Sequence, residues 1–151
     1  MTFHAFSGIR LSLSVTLAGL LLLGMCGCSD NPFDMAPVSG KVTYDDGSVI
    51  LAARIRVLLY PQGGEIDLKT HPKFAAAEVN VADGTFAFME TWKPKDGAVV
   101  GRHKVAIISY DTKGRETDAV PAKYRKPDTS GEEREVKSGQ NHFEFKVKKP
   151  S

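Results

Sequence analysis

From Val38 onward, apolar and polar residues alternate with a period of two, and apolar residues do not recur there at the spacing of an amphipathic helix. Successive side chains of a strand point to opposite faces, so a chain written this way can bury one face of each of several sheets and little else. Val38, Gly40, Val42 and Tyr44 alternate with Ser39, Lys41 and Thr43. Ile55, Val57 and Leu59 stand opposite Arg54 and Arg56 in a strand expected over 54–60, and Ala75, Ala77, Val79 and Val81 alternate with Glu78 and Asn80. Asp83-Gly84 is a strong hairpin signal, so 74–82 and 85–91 are expected to pair antiparallel, with Phe86 and Phe88 on one face. Lys104–Tyr110 carries Val105 and Ile107 on one face and Ala106 and Ile108 on the other, which predicts a central strand. Glu133–Lys137 reads as a short strand. Asn141–Lys148 closes the chain with Phe143, Phe145 and Val147 inward and His142, Glu144 and Lys146 outward.

Asp45-Asp46-Gly47, Pro61 to Gly64 and Ser138-Gly139 separate these runs as turns. Residues 65–72 read as a polar connection, 93–101 as a Pro- and Gly-marked loop and 111–131 as a long charged loop. About seven short strands with turn signals between them predict an all-β fold, an antiparallel β-sandwich. Its expected core is Phe86, Phe88, Ile107, Phe143 and Phe145.

The beginning of the chain is of another kind. Arg10 precedes an apolar run from Leu11 to Leu23, too short to span a bilayer stably but fitting the apolar region of a secretory signal. Gly24, Met25, Cys26, Gly27 and Cys28 follow, and a cysteine directly after a small residue at this point resembles a bacterial lipoprotein cleavage site. Cys28 follows Gly27, whereas Cys26 follows the bulky Met25, so Cys28 is the expected lipidation site. The competing readings are an ordinary secretory signal and a short membrane anchor. A Cys26–Cys28 disulfide would close a strained ring.

The expected organisation is a helical signal peptide over 1–27, a tether over 28–36 stiffened by Pro32, and a β-sandwich domain over 37–151. Each buried CH₂ of an acyl chain contributes about 0.8 kcal/mol of membrane affinity, so the two or three chains of a lipoprotein cysteine, palmitate among them, would hold the protein without a transmembrane helix. Ser29 after the cysteine, where no Asp stands, resembles the pattern of outer-membrane lipoproteins. The expected location is therefore the cell envelope, outside the cytoplasm, with the outer membrane favoured and either its periplasmic face or the cell surface presented.

Cleavage before Cys28 would remove both Arg10 and Cys26 and leave one cysteine, so the domain must be held by its core rather than by disulfides. The whole chain carries 20 basic and 18 acidic residues, interspersed along most of its length, a balance that argues against nucleic-acid binding by bulk charge. A monomer is expected.

Several segments together resemble a family of short lipoproteins common among planctomycetes, with an immunoglobulin-like sandwich of the transthyretin-like or carboxypeptidase-regulatory-like kind. They are Pro37-Val-Ser-Gly-Lys-Val-Thr-Tyr-Asp-Asp-Gly47, Ala82-Asp-Gly-Thr-Phe86, and Lys95-Asp-Gly-Ala-Val-Val-Gly-Arg-His-Lys-Val105. Val120-Pro-Ala-Lys-Tyr124 with Thr129-Ser-Gly131, and Val136-Lys-Ser-Gly-Gln-Asn141, complete the set. The chain has Gly47-Ser48-Val49 where such proteins usually have a Gly-Lys-Pro turn, and Glu132 where they tend to have Leu. The resemblance implies fold and location and brings no defined activity. Within it, Gly40 is expected to let strands approach closely, and Tyr124 to pack against the sandwich and donate its hydroxyl to nearby backbone.

Chemistry-bearing residues are sparse. His71, His103 and His142 have no metal-ligand spacing; His103 and His142 could meet across a sheet, but two half-exposed strand residues are the expectation. Asp45, Asp46, Asp111 and Asp118 are oxygen donors without a calcium-loop spacing and are expected to stabilise their own turns. No Gly-x-Ser-x-Gly elbow and no glycine-rich loop leading into a helix occurs. The chain therefore reads as non-enzymatic and without a cofactor or metal: a structural or interaction module whose partner is an envelope protein or a glycan. The alternative is a carbohydrate- or peptide-binding accessory domain using Trp92, which ends a strand beside Lys93-Pro94, together with Tyr124 in the 111–131 loop.

Overall fold

The computed structural model describes residues 32–63 and 72–150. The expected signal peptide, the lipidation residue Cys28 and His71 lie outside the described residues. The domain comprises strands β1 (Met35–Ala36), β2 (Val38–Tyr44), β3 (Arg54–Pro61), β4 (Ala75–Val79), β5 (Thr85–Phe86), β6 (Ala98–Val99), β7 (Gly101–Tyr110), β8 (Glu133–Val136) and β9 (Asn141–Val147). A 3₁₀ turn at Ala122–Arg125 and a single helical turn at Pro127–Ser130 interrupt the link from β7 to β8. The fold is thus predominantly β, as the alternation predicts.

One sheet has the order β4-β3-β7-β8, a second the order β5-β2-β9, and β1 pairs with β6 as a two-stranded ribbon. The two larger sheets bury a common core: Val42, Phe86, Phe145 and Val147 from one meet Ile55, Val57, Leu59, Val105 and Ile107 from the other. The alternation assigns these faces correctly. β7 lies between β3 and β8, which pair with its two edges, and its outer face is covered as well, Ala106 and Ile108 packing with Leu58, Tyr60 and Tyr110.

Four expectations need correction. First, the sheets are not wholly antiparallel: β2 and β9 run parallel from Val38↔Asn141 to Tyr44↔Val147. Alternation sets faces but carries no information about strand direction or partner.

Second, the chain after Asp83-Gly84 does not return along β4. The turn itself forms, with Asn80 N–H donating to the Thr85 carbonyl (2.7 Å) and the Asp83 carboxylate accepting from Thr85 N–H (2.9 Å) and Oγ1 (2.7 Å). The Gly84 carbonyl then accepts from Val42 N–H at 2.8 Å, which carries β5 across to β2, with Gly40 opposite Phe86. Only the Ala76–Glu90 bridge rejoins β4.

Third, Phe88 is 40 % exposed. The two-residue β5 ends before it, and Met89 takes the buried position instead. Phe143 is half-buried at the core margin, whereas Phe86, Ile107 and Phe145 are buried as expected.

Fourth, the last residues of the expected tether belong to the fold. Met35 and Ala36 pair with Val99 and Ala98, Ala36 is buried, and Val100 N–H donates to the Asp34 carbonyl at 2.8 Å. A two-residue strand is too short to show a period.

Gly40 does what its place in the sequence implied. A Cβ there would stand 2.1 Å from the Phe143 carbonyl oxygen and 2.6 Å from the Phe86 ring, so only glycine lets β5 and β9 close on both sides of β2.

Candidate functional site

Trp92 is set by a loop organised around one carboxylate. Asp96 Oδ1 accepts from Thr91 N–H (2.7 Å), and Oδ2 accepts from Trp92 N–H (2.9 Å) and Lys93 N–H (2.9 Å). The Thr91 hydroxyl donates to the Gly97 carbonyl (2.7 Å), and Gly97 N–H donates to the Met89 carbonyl (3.0 Å). Gly97, at φ +88°, passes so close to β1 that a Cβ would meet the Ala36 carbonyl at 2.1 Å. Lys95 holds a left-handed φ of +62°, a conformation that L residues adopt at a cost of about 1–2 kcal/mol.

The indole is 42 % exposed and stacks in parallel on Phe33, with ring centroids 5.6 Å apart and planes 3° apart. Lys95 Nζ lies 5.0 Å over the ring of the exposed Phe88, so that ring borders the same loop.

Phe33 also lines a cleft of about 490 Å³ between the end of β3 and the start of β7, with Pro61, Pro72, Val99, Arg102 and His103 among its other walls. His103 is buried, not half-exposed as expected, because it shares the inward face with Val105 and Ile107 two and four residues on. Its Nδ1 pairs with the Gly101 carbonyl at 3.0 Å, while Nε2 is buried without a hydrogen-bond partner among the described residues. Desolvation pushes the imidazole pKa down and the Gly101 carbonyl opposes this. The neutral ring with Nδ1–H donating is the form this environment favours.

The structure does not bring the two candidate histidines together. His103 lies on β7, whereas His142 is exposed on β9 in the other sheet, with Nδ1 3.2 Å from Ser39 Oγ. Among the described residues no three His, Cys, Asp or Glu converge as a metal set.

Three of the four aspartates considered as calcium donors serve their own surroundings. Asp46 accepts from Ser48 N–H (2.8 Å) and Lys149 Nζ (3.0 Å), and its hydrogen bonds, chiefly from Ser48, lower its pKa to about 2. Asp111 accepts from Lys113 N–H, Arg115 N–H and Arg115 Nε, and Asp118 pairs with Arg125.

Tyr124 and Trp92 differ sharply. Tyr124 sits on the 3₁₀ turn, 3 % exposed, and its hydroxyl accepts from Lys148 N–H at 3.2 Å instead of donating to backbone. It clamps the end of β9 and leaves no ring face free for a ligand.

The 111–131 segment around it is closed on itself. The buried Ser109 hydroxyl donates to the Thr117 carbonyl (2.9 Å) and accepts from Val120 N–H (3.0 Å), and Arg125 donates to the Thr117 carbonyl (2.7 Å). The Tyr44 hydroxyl reaches the Ala119 carbonyl at 2.8 Å, and Lys104 pairs with Asp128.

Of the two candidate ligand-binding residues, then, only Trp92 presents a ring to solvent, beside a cleft. Sequence reasoning missed Phe33 as its partner and Asp96 as its support. The isolated aromatic in Asn31-Pro32-Phe33-Asp34 was the available signal for Phe33. Comparison with protein-family models, with curated proteins and with solved structures found no match. Among the described residues no helix is long and apolar enough to cross a membrane.

Proposed function

We propose that this chain is a lipid-anchored protein of the cell envelope, outside the cytoplasm, whose β-domain has a non-enzymatic structural or interaction role. The observation that carries the reading is the order of its parts. Arg10, the apolar Leu11–Leu23 run and Gly27-Cys28 come first, and a separate β-domain begins within a few residues of that cysteine. The domain's shared core between two sheets supports the finer assignment to an immunoglobulin-like sandwich of the transthyretin-like, carboxypeptidase-regulatory-like kind, as in short planctomycete lipoproteins. Ser29 after Cys28 favours the outer membrane, and the protein acts as a monomer.

The deciding experiment is fatty-acid labelling with membrane fractionation. Cys28→Ser abolishes both label and membrane attachment, and Cys26→Ser leaves both intact. Equal labelling after Cys28→Ser would refute the assignment.

A second reading, a carbohydrate- or peptide-binding accessory domain, is favoured by the half-exposed Trp92, which stacks on Phe33 of the cleft that holds His103. Glycan and peptide arrays probed with the wild-type and Trp92→Ala proteins test it. Binding that survives Trp92→Ala places the ligand elsewhere.

A further inference from the structure

We propose that the pole carrying Trp92, Phe33 and Phe88 lies on the bilayer, with Trp92 seated among the lipid headgroups. This rests on the reading of Cys28 as the acylated residue.

The first argument is chain length. Phe33 follows Cys28 by five residues, and an extended chain covers at most about 3.6 Å per residue, so Phe33 is held within roughly 18 Å of an acylated sulfur. The pole that receives the chain is thus confined near the membrane surface and meets it at high effective concentration.

The second is what that pole presents. The chain enters by the Phe33–Trp92 stack and the Asp34–Val100 hydrogen bond. Two of the four large apolar side chains exposed among the described residues, Phe88 and Trp92, stand beside this entry. Tryptophan combines an apolar ring with one N–H donor and concentrates at membrane interfaces for that reason.

The third is the state of the loop. The amides of Thr91, Trp92 and Lys93 are already taken by Asp96, so the loop brings few unmade backbone hydrogen bonds into a less polar medium. Lys93 and Lys95 flank the rings and can extend their ammonium groups to the headgroup level. Asp34 and Glu90, exposed nearby in the chain, balance them in charge. The contact is therefore driven by the rings, and it forms on zwitterionic as well as anionic lipid and persists in high salt.

Phe33 covers one face of the indole, which also disfavours a sugar ring sandwiched on both faces.

Trp92 is the single tryptophan of the chain, so its fluorescence reports this pole alone. The acylated mature protein is reconstituted into phosphatidylcholine vesicles. Its emission is compared with that of the Cys28→Ser protein in solution, using lipids spin-labelled at the headgroup and aqueous iodide as quenchers. The expected result is a blue shift, strong quenching by the headgroup label and loss of iodide quenching. An acylated protein whose Trp92 stays as open to iodide as in the unacylated chain overturns the docking and leaves the anchor standing. Shielding of Trp92 that requires an added glycan or envelope protein overturns it as well.

If mass analysis finds Cys28 unmodified in cells, the anchor reading fails. The docking face is then judged by coupling Cys28 of the Cys26→Ser chain to a maleimide lipid and repeating the quenching. A second reporter, Phe88→Trp in a Trp92→Phe background, must show the same protection, and its failure to do so overturns the proposed orientation.

Discussion

Replacing Phe145 with alanine should bring the domain close to unfolding. Phe145 is 1 % exposed and stacks against Phe86 with centroids 6.4 Å apart, while Phe143 meets it edge-on at 6.3 Å. The Arg134 guanidinium lies 4.6 Å over the same ring. Truncating a buried phenylalanine costs about 3–5 kcal/mol through lost transfer energy and the cavity left behind. Each aromatic pair contributes about 0.5–1.5 kcal/mol beyond its area, and the cation over the ring about 0.5–1 kcal/mol. These place Phe145 in the upper half of the range, at about 4–5 kcal/mol, against a total stability of about 5–15 kcal/mol for such a domain.

In urea melts of the 32–150 fragment, the midpoint should fall by about 2–3 M. Two controls isolate the cause. Phe88→Ala removes the same ring from an exposed position and should cost under about 1 kcal/mol. Glu144→Ala should change little, because Arg134 donates to the Glu144 backbone carbonyl, which the substitution keeps. A Phe88→Ala loss as large as that of Phe145→Ala, or a Glu144→Ala loss exceeding it, would refute the assignment of faces.

Gly40→Ala should destabilise the domain by about 1–3 kcal/mol or more, because the new Cβ meets a backbone oxygen held in the β2–β9 ladder, and an unchanged thermal melt would refute the close approach. A fragment starting at Pro37 should be less stable than one starting at Pro32 by about 2–4 kcal/mol, having lost the β1–β6 pairing, the Asp34–Val100 bond and the Phe33–Trp92 stack; equal melts would show the entry segment to be energetically idle. Because burial holds the folded-state pKa of His103 below its ordinary value of 6.5, the native state binds fewer protons than the unfolded one, so the stability tied to neutral His103 is present above that value and is lost as pH falls below it. That slope should vanish in His103→Phe. The hydrogen-bonded carboxylates of Asp46, Asp83, Asp111 and Asp128, whose pKa values are lowered, act in a separate window, stabilising above the ordinary carboxylate range and losing that contribution at more acid pH.

The faces of β2, β3, β7 and β9 were legible because side-chain alternation is local and every residue in the run repeats the message. The interior position of His103 was legible by the same rule, since it continues the Val105–Ile107 row, but its polar ring argued for the surface. What the chain could not show locally is set by single long-range contacts. Asp83-Gly84 makes its turn by local chemistry, yet the destination of β5 depends on the Gly84–Val42 hydrogen bond and on the space left by Gly40. The parallel partnership of β2 with β9 joins residues about a hundred positions apart and has no sequence signature. The 111–131 segment reads as an open charged loop because Ser109 and Arg125, the side chains that close it, announce nothing by their spacing.

Several features that do not serve the core gather around the Trp92 loop and the cleft next to it. There lie a non-glycine residue in left-handed conformation at Lys95, an indole left half-exposed, and, beside a cleft, a buried imidazole nitrogen without a hydrogen-bond partner among the described residues. Strain and unmade hydrogen bonds persist where the surrounding structure holds them in place, and they concentrate at functional positions. The long 111–131 segment offers a weaker case. Its one buried atom without a partner among the described residues, Arg125 Nε, belongs to a guanidinium whose Nη2 already binds the Thr117 carbonyl and Asp118, and its tyrosine is buried. The segments that build the cleft and its rim, around Phe33, Pro61, Trp92 and His103, are far apart in the chain and meet only on folding. One of them is also the point where the chain arrives from Cys28. On the proposed anchoring at Cys28 and docking through Trp92, a substitution at Trp92 or Phe33 should alter how the domain stands on the membrane before it alters how stably the domain folds.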